Sequence, residues 1–310
     1  MHPMKYQPKH IFEYIALILV SGLVRILPLR AALALGWIVA AGTHFVGRIN
    51  VERTHRRIRE VFGDRYSDQE VRHIAWISWR NLFFNGIDAL RFSMLSLKKI
   101  RKQPLASLEP KLNEIMKNTE GGFILATPHM GNWEIAGVAA DLAGIPICAI
   151  ARKQKNPLVD GFINKMRQSF SLEILFTERH IGKGVVDRLK HGKTLAILPD
   201  TNARVGGVTV DFLSGKATIA PGTAHFAQMA DCPIYPAVVR RIGWTKHDAL
   251  LFDPITPDPS LKKTEDQQRM MQSLMTTISE EICKTPEQYF WYNKRWVLNP
   301  QEMNTPKETQ

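Results

Sequence analysis

The chain changes its hydrophobic rhythm near residue 120. Before that point apolar residues recur at helical spacing. The clearest case starts at Ser67, where Val71, Ile74, Ile77, Leu82, Phe83, Ile87 and Leu90 follow a period near 3.6 and Ser67 with Glu70 forms a capping-box signature. After residue 120, short apolar runs at 123–127, 145–151, 172–176, 194–199, 208–213, 233–241 and 249–255 read as strands. Amphipathic stretches near 132–143, 157–170, 182–191 and 220–230 separate several of them, and a longer one spans 262–284. Strands that are apolar on both faces, alternating with helices, predict an α/β fold: a mixed, largely parallel central sheet flanked by helices. No internal repeat is visible.

The first fifty residues are different again. Two apolar runs, 11–29 and 31–47, each come close to the roughly 20 residues that cross a bilayer. Glu13, Arg25, Pro28 and Arg30 interrupt them. A signal peptide fits poorly, because the apolar region is too long and no cleavage site follows. A buried helix pair and a membrane attachment, by one span or by a shallow hairpin, both suit the pattern. Lys5, Lys9 and Arg25, then Arg48, Arg53, Arg56, Arg57 and Arg59, would suit anionic headgroups on the cytoplasmic side. The expected organisation is a membrane-attachment segment over 1–50, a helical region over 51–105, an α/β domain over 106–299 and a loose polar tail over 300–310.

Composition narrows the partners. The net charge is +12 and the isoelectric point about 9.7, which points to an acidic partner. No helix-turn-helix, finger or RNA-binding signature accompanies the charge, so nucleic acid is not expected. Three scattered cysteines, Cys148, Cys232 and Cys283, form no metal or disulfide pattern and fit a reducing compartment. No cofactor is expected. "HGKT" at 191–194 ends like a phosphate loop, but Asp187 stands where its first glycine should be.

Candidate chemistry lies in "TPHMGNWE", 127–134, between an apolar strand and a helix. Residues five apart on a continuous helix lie about 140° apart around its axis. His129 and Glu134 can therefore cooperate only if His129 sits in the loop and Glu134 in the first helical turn. Asn132 is a suitable N-cap and Gly144 a suitable stop. A histidine held by a carboxylate is a general-base unit. The same residues could also be a polar loop histidine and a glutamate favoured by the helix dipole. No G-x-S-x-G elbow offers a protein nucleophile, so a base here would activate a hydroxyl on a substrate. A metal site lacks the H-E-x-x-H spacing and further ligands. Backbone N–H groups from Gly131 to Trp133 could hold an oxyanion or a phosphate. Arg152, Lys153, Lys155 and Arg167 form a basic tract in which one or two arginines could bind phosphate. The aromatic helix at 76–92 could line an apolar groove.

Four blocks in order, "HMGNWE" (129–134), "ARKQKNP…R" (151–167), "LAILPDTNARVGG…" (195–239) and "PEQYFWYNKRW" (286–296), resemble the bacterial lipid A late acyltransferases, the lauroyl/myristoyl transferase family. The resemblance covers nearly the whole chain. It implies a glycerolipid-acyltransferase-like fold on the cytoplasmic face of the inner membrane. It also implies transfer of an acyl chain from acyl carrier protein to a hydroxyl of a phosphorylated glycolipid acceptor, a lipid A precursor. It carries over His129 as the catalytic base and Glu134 as its acidic partner. Arg152, Asn156, Arg167 and Asp200 are carried over as substrate-side residues, with Gly131 and Asn132 inside the first block. The departures are Thr201 where the family commonly has glutamine and Asn293 where it often has histidine. They leave the pair intact and blur the choice of acceptor.

Overall fold

A computed structural model describes residues 7–168, 172–177, 181–203, 206–294 and 296–298, with the side chains of 167 and 168 outside that description. Its helices are α1 (Pro8–Ile26), α2 (Leu29–Ala41), α3 (Val51–Phe62), α4 (Asp68–Leu90), α5 (Leu97–Ile100), α6 (Glu109–Asn118), α7 (Trp133–Leu142), α8 (Pro157–Gln168), α9 (Ile181–Lys190), α10 (Gly222–Ala230) and α11 (Lys263–Lys284). The strands are β1 (Ile124–Ala126), β2 (Ile147–Ala151), β3 (Glu173–Phe176), β4 (Thr194–Ile197), β5 (Val208–Phe212), β6 (Gly215–Ile219), β7 (Ile234–Ile242) and β8 (Lys246–Leu251).

The central sheet has the order β3-β2-β4-β1-β7-β8, parallel throughout except for the β7–β8 hairpin at one edge. This is the mixed, largely parallel sheet that the strand–helix alternation predicts. Period-two alternation explains why the strands carry unbroken apolar runs. Ile124 and Ala126 of β1 join the core on the α10–α11 face, while Leu125 packs on the opposite side with Leu112, Ala140 and Ile147. One predicted strand goes elsewhere. The 208–213 run forms β5, which leaves the sheet and pairs only with β6 in a separate antiparallel hairpin. Its alternating pattern, buried at Val210 and Phe212 and exposed at Thr209 and Asp211, belongs to a two-sided ribbon packed on α11.

α4 begins with the anticipated capping box: the Ser67 hydroxyl accepts from the Glu70 N–H, and the Glu70 carboxylate accepts from the Ser67 N–H at 2.7 Å. Packing crosses the expected boundary near residue 105. Val71, Ile74, Ala75 and Trp79 share one core with the sheet and with Trp291, Tyr292 and Trp296.

α1 and α2 form a hairpin with Leu27 and Pro28 at the bend. α2 lies along α4 through Ala32, Leu33 and Gly36, facing Phe84 and Ile87; a Cβ on Gly36 would sit 3.0 Å from the Ile87 side chain. Each large side chain fully buried there stabilises by roughly 1.5–3 kcal/mol. The opposite faces stay apolar and open: Phe12 is 75% exposed, Ile26 85% and Val46 85%. By length and composition Leu29–Val46 could cross a membrane.

Candidate active site

β1 and β4 are adjacent and in register, with Ala126 opposite Ile197. Counting three residues past each partner reaches His129 and Asp200. Parallel register therefore brings these two side chains together beyond the carboxyl ends of the central strands, where open α/β sheets build their sites. One Asp200 carboxylate oxygen lies 2.8 Å from His129 Nδ1, and the other accepts the His129 backbone N–H at 2.9 Å. The Asp200 side chain is wholly buried, while that of His129 is 22% exposed. A carboxylate facing Nδ1 fixes the proton on that nitrogen and leaves Nε2 as the basic one. The Trp133 ring stands edge-on to the imidazole at 5.1 Å between centroids.

The loop carrying His129 is pinned by backbone bonds to residues 288–290. Gly131 N–H donates to Gln288 O at 2.9 Å, Phe290 N–H donates to His129 O at 2.8 Å, and Met130 forms an antiparallel bridge with Tyr289. Gly131 has φ +57°, and a Cβ there would meet the Val239 carbonyl oxygen at 2.0 Å. Only glycine passes this point. Asn132 accepts the Ile135 N–H as the cap of α7 and donates to Asp88 Oδ2 at 3.0 Å. Asp88 is buried and paired with Arg241 at 2.5 Å, and His247 Nε2 lies 3.5 Å from the same oxygen. Burial pushes the Asp88 carboxyl upward, but the adjacent His247 and the Arg241 charge together hold it below its usual value. Asn85 completes the clamp, accepting from Arg241 at 2.8 Å and donating to Gly131 O at 2.6 Å. Beside Asp200 lies the wholly buried Tyr289 phenol. Burial first, and that carboxylate's charge second, push the phenol well above its usual range.

Two apolar cavities begin at the same place. A cavity of about 140 Å³ is lined by Trp133, Glu134, Leu172 and Leu198. One of about 80 Å³ runs between α7 and the sheet, past Ala136, Ala140 and Val239, to Leu105 and Leu112. Thr127, Trp133, Gly137 and Ile147 line both. Small residues on the inner face of α7 leave this space open.

The structure redistributes several expected roles. The carboxylate on His129 Nδ1 is Asp200, not Glu134; Glu134 occupies the first turn of α7 as anticipated and faces the cavity. Asp200, expected on the substrate side, is buried beneath the imidazole. The Gly131 backbone N–H is committed to Gln288, and the buried Asn132 side-chain amide is committed to Asp88, so neither of these groups is an open donor. Asn156 caps α8, accepting from Leu158 and Val159 N–H and donating to His10 O and Glu13, so its amide serves the α1–α8 junction instead of a substrate. Arg152 is exposed just past β2. Arg167 lies in α8, and its side chain is outside the described residues. Of the aromatic stretch 76–92 expected to line a groove, Phe92, just past α4, lines the 140 Å³ cavity; α4 itself packs on the aromatic block near residues 291–296, and α7 with residues 100–112 contributes much of the walls. Among the described residues no cluster of three metal-ligating side chains occurs. Burial pushes the Cys148 thiol to about 11 and Cys232 to about 12, which keeps both unreactive.

The sequence is similar to known proteins along most of its length. A family model described as bacterial lipid A biosynthesis acyltransferase matches residues 4–297. A Haemophilus influenzae protein described as lipid A biosynthesis acyltransferase is 24% identical over 171 residues, covering 54% of this chain and 52% of that protein. A Mycolicibacterium smegmatis phosphatidylinositol mannoside acyltransferase is 29% identical over 119 residues, covering 37% of this chain and 39% of that one. The chain thus aligns with about half the length, or less, of these relatives. The crystal structure of the 1-acyl-sn-glycerophosphate acyltransferase PlsC from Thermotoga maritima superposes with a TM-score of 0.36 at 16% identity, covering 81% of this chain and 95% of that one.

Proposed function

For this chain, which belongs to the bacterial lipid A biosynthesis acyltransferase family, we propose transfer of a fatty acyl group from acyl carrier protein to a hydroxyl of a phosphorylated glycolipid, a lipid A precursor, at the cytoplasmic face of the inner membrane. The observation that carries this reading is the His129–Asp200 pair, with its imidazole against Trp133, a residue that lines both apolar cavities.

In the proposed reaction Nε2 of His129 takes the proton of the acceptor hydroxyl as its oxygen attacks the thioester carbonyl. Asp200 keeps the ring oriented and stabilises the imidazolium. The tetrahedral intermediate's oxyanion lies near the positive end of α7. The carbon–sulfur bond then breaks, and the imidazolium returns its proton to the departing thiolate. The ester and the free thiol of the carrier are the products, with no covalent enzyme intermediate. Glu134 adds negative charge on the cavity side, where it supports the protonated ring. The hydrocarbon lies along the inner face of α7. Excess positive charge suits both an acidic carrier and a phosphorylated acceptor. The exposed apolar faces of α1 and α2 suit attachment to the bilayer.

The test is incubation of purified protein with isotope-labelled acyl–acyl carrier protein and a phosphorylated glucosamine-disaccharide lipid, followed by mass spectrometry of the lipid. One added acyl mass on the lipid is expected. Free fatty acid alone, or an unchanged lipid with every acceptor tried, contradicts the reading.

A further inference from the structure

A cleft of about 600 Å³ separates α1 from α8. Resting on the acyltransferase reading above, we propose that this cleft is where the acceptor leaves the bilayer: Arg25 and Lys165 hold a phosphate of the glycolipid, and its hydrocarbon lies against Ile18 and Phe162.

The two walls are built for this. On α1, Tyr14, Ile18 and Arg25 follow helical spacing and face the cleft, while Phe12, Ile15, Leu19, Leu23 and Ile26 form the neighbouring exposed stripe. The apolar wall of the cleft is therefore continuous with the face that meets lipid, and a lipid tail can pass from one to the other without crossing water. On α8, Leu158, Gly161, Phe162 and Lys165 share one face and close the opposite side.

The charge is unmatched inside the cleft. Among the described residues neither Arg25 nor Lys165 makes an ion pair with a carboxylate; Arg25 Nε donates to the Leu90 carbonyl at 2.8 Å, which anchors its stem. The nearby carboxylates are committed elsewhere. Glu13 accepts from Asn156 and lies 3.8 Å from Lys9, and Asp160 accepts from Gln154 N–H and Asn164. An arginine and a lysine without a protein anion suit a phosphate oxyanion. Ser93 also lines the cleft. Its neighbour Phe92 lines the cavity that holds Trp133 and Glu134, so the cleft adjoins that cavity.

Gly161 supplies a clean test. A Cβ there meets nothing within 4 Å, so Gly161→Leu fills the cleft without backbone strain and replaces a weak helix former by a strong one. The melting temperature should hold or rise. With carrier-bound donor, Gly161→Leu should raise the KM for the phosphorylated acceptor about tenfold or more while the donor KM stays unchanged. Lys165→Glu should raise the acceptor KM too, but not for the same acceptor after phosphatase treatment. An increase confined to the donor KM assigns the cleft to the carrier's arm and overturns the proposal. So does an unchanged acceptor KM in a folded Gly161→Leu protein, or a Lys165→Glu effect indifferent to phosphate.

A second arm needs no turnover: a phosphorylated glycolipid with a photoreactive acyl chain, in vesicles, is crosslinked to the full chain. Label on α1 and α8 peptides supports the cleft even if no acyl transfer is detected. Transfer accompanied by label only at other sites removes the cleft and leaves the enzymatic reading standing.

Discussion

Two histidine–carboxylate pairs flank the same loop, and they do different work. In the first, His129 and Asp200, the imidazole is partly exposed and stands against Trp133, which lines the apolar cavities. His247 and Asp88 lie on the inner side, both buried, with Arg241 closing the Asp88 oxygen and Gln103 facing His247 Nδ1 at 3.1 Å. In the first pair the imidazole is partly exposed, as a base that meets a substrate must be. In the second both nitrogens face protein. A histidine beside a carboxylate is a base only where its other nitrogen meets a reactant; otherwise it is a buried polar joint. The inner pair earns its place by holding Asn132 and, through it, the start of α7.

The sharpest way to break the comparison is to remove both histidines in turn. His129→Ala should slow acyl transfer by about 10³–10⁴-fold while the melting temperature stays close to that of the parent. His247→Ala should do the reverse, lowering stability with a smaller effect on rate. Asp88→Ala leaves the buried Arg241 guanidinium without its anion, and a loss of about 3–5 kcal/mol in urea unfolding is expected. A loss below about 1 kcal/mol would mean the cluster is not the clamp described above.

Tyr289→Phe sharpens the outer pair. Removing the buried hydroxyl beside Asp200 should lower kcat/KM by less than about tenfold, with a stability cost of about 1 kcal/mol. An unchanged rate would make Tyr289 structural only.

The smallest effect is on stability against pH. Burial first, then the nearby Arg241 charge, hold His247 below its usual 6.5, against the opposing pull of Asp88. The unfolded chain then binds a proton that the folded one resists. Stability is full above about pH 6.5 and falls as pH drops below it, by at most about 1.4 kcal/mol per pH unit from this group. Urea titrations at pH 7.5 and 5.5 should show a smaller difference for His247→Gln than for the parent.

Much of this was legible in the chain itself. The parallel sheet follows from apolar runs at strand spacing, α4 from its capping box, and the position of His129 and Glu134 from the angular geometry of a helix. The 208–213 ribbon was misplaced, because an alternating strand looks the same whether it joins a sheet or a hairpin. The partner of Nδ1 was misassigned for a similar reason. Glu134 is near His129 in sequence, whereas Asp200 is near it only through the β1–β4 register, which a single sequence does not specify. The same holds for the Asp88–Arg241–His247 joint, drawn from α4, β7 and β8. Asn132 was read correctly as the cap of α7, whereas the tight turn at Gly131 was read as part of a substrate contact.

The most direct test of the central claim is the acyl-transfer rate of Asp200→Asn measured beside the parent protein under saturating donor and acceptor. An asparagine keeps the shape but removes the charge that orients and supports the imidazole. The account predicts a rate lower by about 10²–10⁴-fold with the fold intact. A folded Asp200→Asn protein that transfers acyl groups within about twofold of the parent would contradict it.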